Sequence, residues 1–415
     1  MSARLDGDAG AEWRQHWPVV LASSAGMANA AISSFSIGLF IEPLQHEFGW
    51  SRAEISSGSL LSSIAVLLLG SSAGFMVDRL GPRRVGIAAV TAMAIGYSLL
   101  SLTGPSIWSW RALWVLMAMV VLIIQPMVWT SAITGFFSAG RGLALAAVLC
   151  GSSICSMVTP PLAYWMIEHL GWRHAFIGIA LCWFVAVMPL VLLFFTSVQD
   201  KKRLGRQTVA FVARPGFFSN FRGEVLTGRF MRLALAGFSI AVVVVPVSTT
   251  IVPILSSNGL TRAKAAGIAS LLGVASIAGR LTIGTLLDRF EGRLIAACVV
   301  CLPIAGSLIL IGMPGSMLAA SAAVVIFGLT MGAELDILAY LTSRYFKPVN
   351  FGMMFGTMGG FITLAGGTGP MLLNTVYDAT KTYVPALWGI LPLCLLSASL
   401  FVLLGPYPER ETKQD

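Results

Sequence analysis

Charged residues are scarce in this 415-residue chain: Asp, Glu, Lys and Arg make up 11% of it, while 56% is hydrophobic. An ordinary soluble domain has about 25% charged residues. The few charges lie in short stretches that separate apolar runs of roughly 20 residues, the length that a helix needs to cross a bilayer. The composition therefore excludes a soluble enzyme and predicts an all-α protein embedded in a membrane.

Histidine and cysteine are also sparse, which argues against a metal or redox centre. The four histidines fall at the ends of apolar runs, and the six cysteines lie inside such runs, where cysteine behaves as a small hydrophobic residue. Cys298 and Cys301 form a CxxC pattern, but no second pair accompanies it. The net charge of +9 comes from basic residues in the loops, which lipid headgroups explain better than a polynucleotide. We expect no metal, no cofactor and no nucleic-acid partner.

Twelve apolar runs are long enough to cross a membrane. The longest polar break in the chain follows the sixth run and reads as a linker between two halves. The predicted spans are 17–42, 54–77, 85–104, 107–136, 141–167, 173–196, 230–255, 263–287, 294–312, 316–343, 350–374 and 383–405.

Basic residues concentrate in alternate loops, and the positive-inside rule then places both termini and the linker in the cytoplasm. The expected organisation has a cytoplasmic tail at each end and two helical bundles joined by a cytoplasmic linker. The bounds are 1–16 for the first tail, 17–196 for the first bundle, 197–229 for the linker, 230–405 for the second bundle and 406–415 for the last tail.

An internal repeat supports this division. The stretch GFMVDRLGPRR at 74–84 recurs as GTLLDRFEGR at 284–293, and the same offset of 210 residues aligns 50–53 with 260–263. Because both copies must lie on the same side of the membrane, each half needs an even number of spans, which six satisfies. The matched pairs are Gly74 and Gly284, Asp78 and Asp288, Arg79 and Arg289, and Arg83 and Arg293.

The first copy resembles the loop between spans two and three that marks the major facilitator superfamily. This resemblance implies twelve transmembrane helices in two pseudo-symmetric six-helix bundles that transport by alternating access. It also implies a conformational gating role for both copies of the motif, while the alternative is a charge cluster that only sets topology. The residues concerned are Gly74, Asp78, Arg79, Gly81, Arg83 and Arg84, with Gly284, Asp288, Arg289 and Arg293 in the second copy.

Three further stretches are similar to the monocarboxylate and oxalate/formate branch of that superfamily: GLFIEPLQHEFGWSRAEIS, GWRHAF and GAELDILAYLTSRYF. Members of this branch carry small organic anions, so the resemblance implies such a substrate. It also implies a location in the inner membrane. Span eleven lacks the lysine expected by analogy with oxalate/formate exchangers, which disfavours dicarboxylate exchange. Span four lacks the arginine of many proton-linked relatives and span five lacks the repeated glycines typical of drug:proton antiporters, so import by symport is favoured over drug export.

Arg280 is the most informative single residue, because it lies eight residues before Asp288 and so about 12 Å inside the predicted span. A guanidinium at that depth is costly unless it faces a polar cavity or a partner. Its forked donors match a carboxylate. We therefore expect Arg280 to bind the substrate anion.

Glu334 and Asp336 supply the opposite charge in span ten, at depths of about 15 and 12 Å. Two residues apart on a helix, they point about 200° apart, so one should line the pathway while the other packs between helices. Tyr340 shares the face of Asp336 and is a substrate-binding candidate. Two interpretations stay open: a permanent structural pair with Arg280, or a reversible pair in which substrate takes the arginine and the released acid takes a proton.

Weaker candidates for lining a substrate cavity are polar or amphipathic groups within the spans. For Trp129 ordinary packing is the favoured interpretation, and Gln125 beside Pro126 marks a kink. The set is Asn29, Gln125, Trp129, Asn374 and Tyr377.

The sequence thus predicts a monomeric, proton-coupled symporter of a small organic anion, a monocarboxylate with an aliphatic or aromatic body. Its partners are that anion, protons and the lipid bilayer, and it is not an enzyme. A drug or metabolite exporter of the same fold is the first alternative, and a membrane sensor that does not transport is the second.

Overall fold

The computed structural model describes residues 9–138, 140–197, 227–346 and 351–407. This part of the chain forms fourteen α-helices and one short 3-10 turn. The helices are α1 (Ala9–Ala30), α2 (Ile32–Phe48), α3 (Arg52–Leu80), α4 (Pro82–Leu99), α5 (Ile107–Ile123), α6 (Pro126–Phe136), α7 (Arg141–Phe194), α8 (Gly228–Ser257), α9 (Arg262–Ala269), α10 (Leu271–Arg289), α11 (Gly292–Gly312), α12 (Met317–Tyr345), α13 (Phe351–Thr380) and α14 (Val384–Val402).

The predicted all-helical membrane fold is confirmed. Among the described residues, ten helical stretches are both long and apolar enough to cross a membrane. One of them, α7, has 54 residues and would be about 80 Å long, far more than one crossing needs. It breaks at Gly171, where φ is 77° and only glycine is unstrained. The two parts of α7, together with the 30-residue α13, would bring the number of crossings to twelve.

Several predicted spans are interrupted, each at an identifiable residue. The first divides at Ala31, between α1 and α2. The fourth divides at Gln125, whose ψ of 149° is extended because the next residue is proline. The eighth divides at Ser270, between α9 and α10. Of these three breaks, the sequence indicated only the one at Gln125.

The described part of α1 starts at Ala9 and so extends further toward the N-terminus than the predicted span 17–42, while the predicted boundary of the tail 1–16 stays a prediction. Contacts with the segment before α7 hold this extension in place. Glu12 accepts hydrogen bonds from the backbone and hydroxyl of Ser138, and the Trp13 ring packs edge-on against Phe137 at 5.5 Å. The sequence analysis did not predict these contacts of Glu12 and Trp13, because it treated residues 1–16 as a polar tail.

The stretch before the long gap (9–197, the first half) meets the stretch after it (227–407, the second half) along at least four helix pairs of the described chain: α2 with α8, α3 with α13, and α7 with both α9 and α10. In three of these pairs a glycine allows the close approach. Gly38 of α2 faces the backbone of α8, Gly273 of α10 faces α7, and Gly367 of α13 faces α3. Between α7 and α10, the hydroxyls of Ser153 and Ser276 are hydrogen-bonded at 2.9 Å.

Parts of the predicted organisation lie outside the described residues. They include most of the linker 197–229, half of the first tail and most of the last tail. Gly74, Asp78 and Asp288 belong to α3 and α10, but their side chains are not described. The bundle boundaries therefore stay predictions.

Replacing Gly332 by alanine should destabilise the protein. An added Cβ would overlap the backbone oxygen of Ser276, so α12 and α10 would have to move apart. Overpacking of this kind typically costs about 1–3 kcal/mol. The melting temperature of the purified protein should fall by several degrees, as measured by thermal unfolding in detergent. Gly389→Ala is the matched control, because nothing lies within 4 Å of its added Cβ; equal losses in both variants would contradict the assignment.

Candidate functional site

Arg280 of α10 and Asp336 of α12 form an ion pair. Arg280 Nη1 donates a hydrogen bond of 2.9 Å to Asp336 Oδ1, and the side chains are 4% and 24% exposed. Arg280 Nε has no hydrogen-bond partner among the described residues. The sequence placed both residues at the same depth, and the structure brings them together. The acid is the more accessible partner, so an incoming group would meet the pair from the side of Asp336.

This ion pair lies where the two halves of the chain meet. Cys150 of α7 is close enough for the charges of both Arg280 and Asp336 to act on its thiol. The hydrogen-bonded Ser153 and Ser276 lie one turn further along the same two helices. The surroundings of a charged group at such an interface would change if the halves moved relative to each other.

Glu334 lies two residues before Asp336 in α12 but has a different environment. It is 8% exposed, and its Oε1 atom has no hydrogen-bond partner among the described residues. Leu338, one turn along the same face, packs against Gly237 of α8. The different surroundings of the two acids fit the expectation that one packs between helices. Which of them exchanges a proton stays a prediction.

Tyr340 does not join the ion pair. An added Cβ on Gly292, at the start of α11, would lie 2.7 Å from the Tyr340 ring and 2.8 Å from the Tyr407 hydroxyl. Tyr340 thus packs beside Gly292 and Tyr407, a pairing that spacing along α12 alone does not reveal.

Trp129 and Asn29 are buried within the first half. The Trp129 ring packs over Gly26, lies 5.0 Å from the Phe195 ring and donates its N–H to the Ile124 carbonyl oxygen. This is the packing role that the sequence analysis favoured for Trp129. Asn29 is 1% exposed, and its Oδ1 has no partner within the described ranges.

A central cavity of about 220 Å³ lies between α2, α3, α5, α8 and α13. Gln125 lines it, as expected, and its amide donates to the Val121 carbonyl oxygen. The described lining contains no charged side chain and is rich in hydroxyls, which the sequence analysis did not single out. The serines of α3 are spaced three and four residues apart and so share one face of the helix, a pattern that the sequence analysis could have used to predict a polar cavity. The hydroxyl residues are Ser33, Ser34, Ser56, Ser59, Ser62, Ser63, Thr249, Thr250 and Thr363.

Arg52 joins the two halves at one end of the helices. We call this end, which carries the loops at 49–51 and 258–261, the outer end, and the opposite one the inner end. Arg52 Nη1 donates to the Tyr383 hydroxyl at 2.8 Å, and the guanidinium lies 3.6 Å from the centre of the Tyr377 ring. Asp378 of α13 accepts hydrogen bonds from the backbone N–H groups of Arg52 and Ala53, at 3.1 and 2.8 Å. The predicted candidate Tyr377 thus belongs to this cluster rather than to the ion pair.

Asn374 extends the same cluster inward. Its Nδ2 donates to the Ser56 hydroxyl at 2.7 Å, and its Oδ1 accepts from the Tyr383 hydroxyl at 2.8 Å. Burial raises the pKa of Tyr383 to about 12, although nearby Arg52 opposes this rise. The Tyr383 hydroxyl therefore keeps its proton at physiological pH and remains a donor to Asn374.

Arg262 of α9 makes the reciprocal connection from the second half. It pairs with Glu42 at 3.1 Å and Glu168 at 3.3 Å, and it donates to the Leu39 carbonyl oxygen at 3.1 Å. Arg52 and Arg262 are 210 residues apart and occupy matching positions of the internal repeat. The sequence aligned them but assigned them no role. We call the contacts of these two arginines the outer gate.

The inner-end motif is described only in part. Gly81 has φ 86° and ψ 146°, a conformation that favours glycine, and Arg83 donates to the Leu192 carbonyl oxygen at 2.7 Å. Arg293 pairs with Glu291 at 2.6 Å. These contacts lie within one half each. The exposed residues of the motif are Arg79, Arg84 and Arg289, and Gly284 has open space around it.

Over the described ranges, no group of three or more His, Cys, Asp or Glu side chains is placed to hold a metal ion. At the ion pair, the guanidinium of Arg280 offers donors that suit a carboxylate, and the carboxyl group of Asp336 can accept or release a proton.

Sequence comparison finds distant relatives among transporters. Monocarboxylate transporter 12 of Homo sapiens is 24% identical over 285 residues, which is 60% of this chain and 54% of the relative. Riboflavin transporter RibJ of Trypanosoma brucei brucei is 28% identical over 144 residues, 34% of this chain and 26% of the relative. The chain thus spans about half, or less, of the length of these curated relatives.

Solved structures match over nearly the whole chain and show the fold. A D-xylose-proton symporter superposes with a TM-score of 0.74 at 14% identity, covering 94% of this chain and 98% of that one. The nucleoside transporter NupG superposes with a TM-score of 0.68 at 13% identity, covering 93% and 98%. The family profile of the Major Facilitator Superfamily matches residues 22–370, most of the chain, and the protein therefore belongs to this superfamily of transporters.

Proposed function

We propose that this transporter carries a small organic anion, a monocarboxylate, together with a proton. The observation that carries the proposal is the ion pair between Arg280 and Asp336. Two charges inside a membrane are costly, and they are commonly retained at substrate or proton pathways. The similarity to monocarboxylate transporter 12 supports the same class of substrate.

Charge balance suggests how substrate and proton are coupled. A substrate carboxylate that binds Arg280 displaces Asp336, which would leave an unpaired buried charge costing several kcal/mol. A proton on Asp336 removes that cost. The empty site (Arg280 with Asp336) and the loaded site (Arg280 with substrate, Asp336 protonated) are then both neutral. Neither state moves net charge at this site through the low-dielectric interior.

Alternating access follows from the outer gate. The cross-half contacts of Arg52 and Arg262 hold the outer end closed in this conformation. Their breakage would let the predicted bundles, 17–196 and 230–405, rock apart there. We place the termini on the cytoplasmic side of the inner membrane, so that the outer end faces away from the cytoplasm. One protomer contains both bundles, and a monomer would therefore be sufficient for import.

A second candidate is a carrier of an uncharged polar metabolite, in either direction. The central cavity favours it, because its described lining has hydroxyls and one amide but no charge. In that case Arg280 and Asp336 would be a permanent structural tie.

Replacing Arg280 should separate the two candidates. Arg280→Lys keeps the charge but loses the fork, and loss of one charge-assisted hydrogen bond should raise the KM for a carboxylate at least about tenfold. Uptake of labelled monocarboxylates and of their uncharged amides would be measured in proteoliposomes with an inward pH gradient. Arg14→Gln, at an exposed site, is the control. Unchanged carboxylate uptake in Arg280→Lys and Arg280→Ala, or uptake of amides alone, would favour the uncharged substrate.

Asp336→Asn should uncouple transport from protons, because asparagine mimics the protonated acid permanently. Exchange of labelled for unlabelled substrate should persist, while uptake should no longer accelerate as the external pH falls. Glu334→Gln is the matched control in the same helix and should keep the wild-type pH response. A wild-type pH response in Asp336→Asn would contradict the assignment.

Arg262→Gln should loosen the outer gate, since it removes both ion pairs of Arg262. A cysteine introduced at Thr249, in the central cavity next to Gly38, would report opening in a background without native cysteines. A membrane-impermeant maleimide added outside should label it several-fold faster than in the parent. Lys264→Gln, an exposed charge on the same helix, should leave the rate unchanged. Equal rates in Arg262→Gln and the parent would show that these pairs do not close the outer end.

A further inference from the structure

A second cavity, of about 200 Å³, lies at the outer end and is separate from the ion pair of Arg280. Both halves of the chain contribute to it, through α2 and α3 of the first and α8, α9 and α13 of the second. Glu42 stands at its rim with a side chain that is 60% exposed. The cavity is therefore reached from outside while the outer gate is closed.

Three charged residues line this outer cavity, namely Glu42, Arg52 and Arg262. Arg262 is neutralised by its pairs with Glu42 and Glu168. Among the described residues, no acid lies within ion-pair distance of the Arg52 guanidinium, whose side-chain partners are neutral. The nearby Asp378 carboxylate is occupied by backbone N–H groups. The Arg52 guanidinium thus lines the cavity without an acid paired to it.

The Arg52 guanidinium is held in a fixed position. Gln45 Oε1 accepts from its Nε at 2.9 Å, the Tyr383 hydroxyl accepts from Nη1 at 2.8 Å, and the Tyr377 ring stacks below. A guanidinium that is already ordered loses little entropy when it binds an anion. Its remaining N–H groups suit a carboxylate oxygen.

A second, independent observation points to a ligand in the same cavity. Ser256 is one of the residues that line the cavity, and its buried hydroxyl oxygen has no hydrogen-bond partner in the described part of the chain. A buried polar atom of this kind is normally satisfied. A carboxylate held by Arg52 would supply an acceptor for that hydroxyl.

We propose that Arg52 and Ser256 form an outer anion site, which takes the carboxylate of a small monocarboxylate before the outer gate opens. This site rests on the proposed function for the identity of its ligand. An anion on Arg52 competes with the Tyr383 hydroxyl for the guanidinium. Binding there would therefore weaken a contact of the outer gate and favour its opening toward the side that holds substrate.

Protection of a nearby cysteine tests this site without measuring transport. Ser257, an exposed residue of the same cavity lining, would be replaced by cysteine in a background without native cysteines. Benzoate is the probe, and benzamide is its uncharged counterpart. At about ten times its dissociation constant, benzoate should slow labelling by an external maleimide about tenfold, while benzamide should not. Absence of protection by benzoate, with acetate also inactive, would overturn the proposal.

Variants then assign the protection to Arg52. Arg52→Gln should abolish it and Arg52→Lys should retain part of it, whereas Arg111→Gln, which removes another outer-end arginine, should retain all of it. Labelling rates without benzoate show whether each variant remains folded and closed. Full protection in Arg52→Gln would overturn the proposal.

Arg280→Ala distinguishes this site from the proposed transport site. It should keep the protection, because the outer cavity does not include Arg280. Loss of protection in Arg280→Ala would mean that benzoate acts from the central site, and would overturn the outer site. Failure of the proposed function shows differently: carboxylate uptake would be normal in Arg280→Ala while protection still depended on Arg52.

Discussion

The cost of a charge inside a bilayer constrains this protein more than any other interaction. An apolar chain with so few charges keeps Arg280 buried, and it does so by pairing it with Asp336 on a different helix. The pair fixes the spacing of α10 and α12 at mid-depth, close to α7 of the other half. In the proposed mechanism, the substrate and the proton together preserve the neutrality of this pair, so the pair would link packing to transport.

At the outer end, two residues in matching positions of the internal repeat make contacts across the two halves. Arg52 and Arg262 begin equivalent helices, and each contacts the opposite half, so closure uses one ancestral position twice. The two contacts are not chemically equal. Arg262 meets carboxylates, while Arg52 meets a phenol, an amide and an aromatic face. Under the proposal of an outer anion site, this difference would let Arg262 keep its gate contacts while Arg52 binds a ligand.

Sequence reasoning recovered the all-helical fold and the matching level of Arg280 and Asp336 along their helices, because apolar run length and helix rise determine both. It located Gln125 on the cavity through its proline. It did not place Tyr340 or Asn374, since the face that a helix turns to its neighbours depends on packing across the whole protein. The outer gate was missed for the same reason: the partners of Arg52 lie more than 300 residues away in the chain. No local pattern encodes such contacts.

Helix α3 has two caps, and they come from different places. Ser51 and Glu54 form a reciprocal capping box, in which each side chain accepts a hydrogen bond from the other's backbone N–H, at 2.9 and 3.1 Å. Asp378 adds a second acceptor from the other half of the chain. Separation of the halves would remove the Asp378 acceptor, which water can replace, while the hydrogen bonds of Ser51 and Glu54 would remain. In the proposed alternating access, the first turn of α3 would therefore keep one cap throughout the transport cycle.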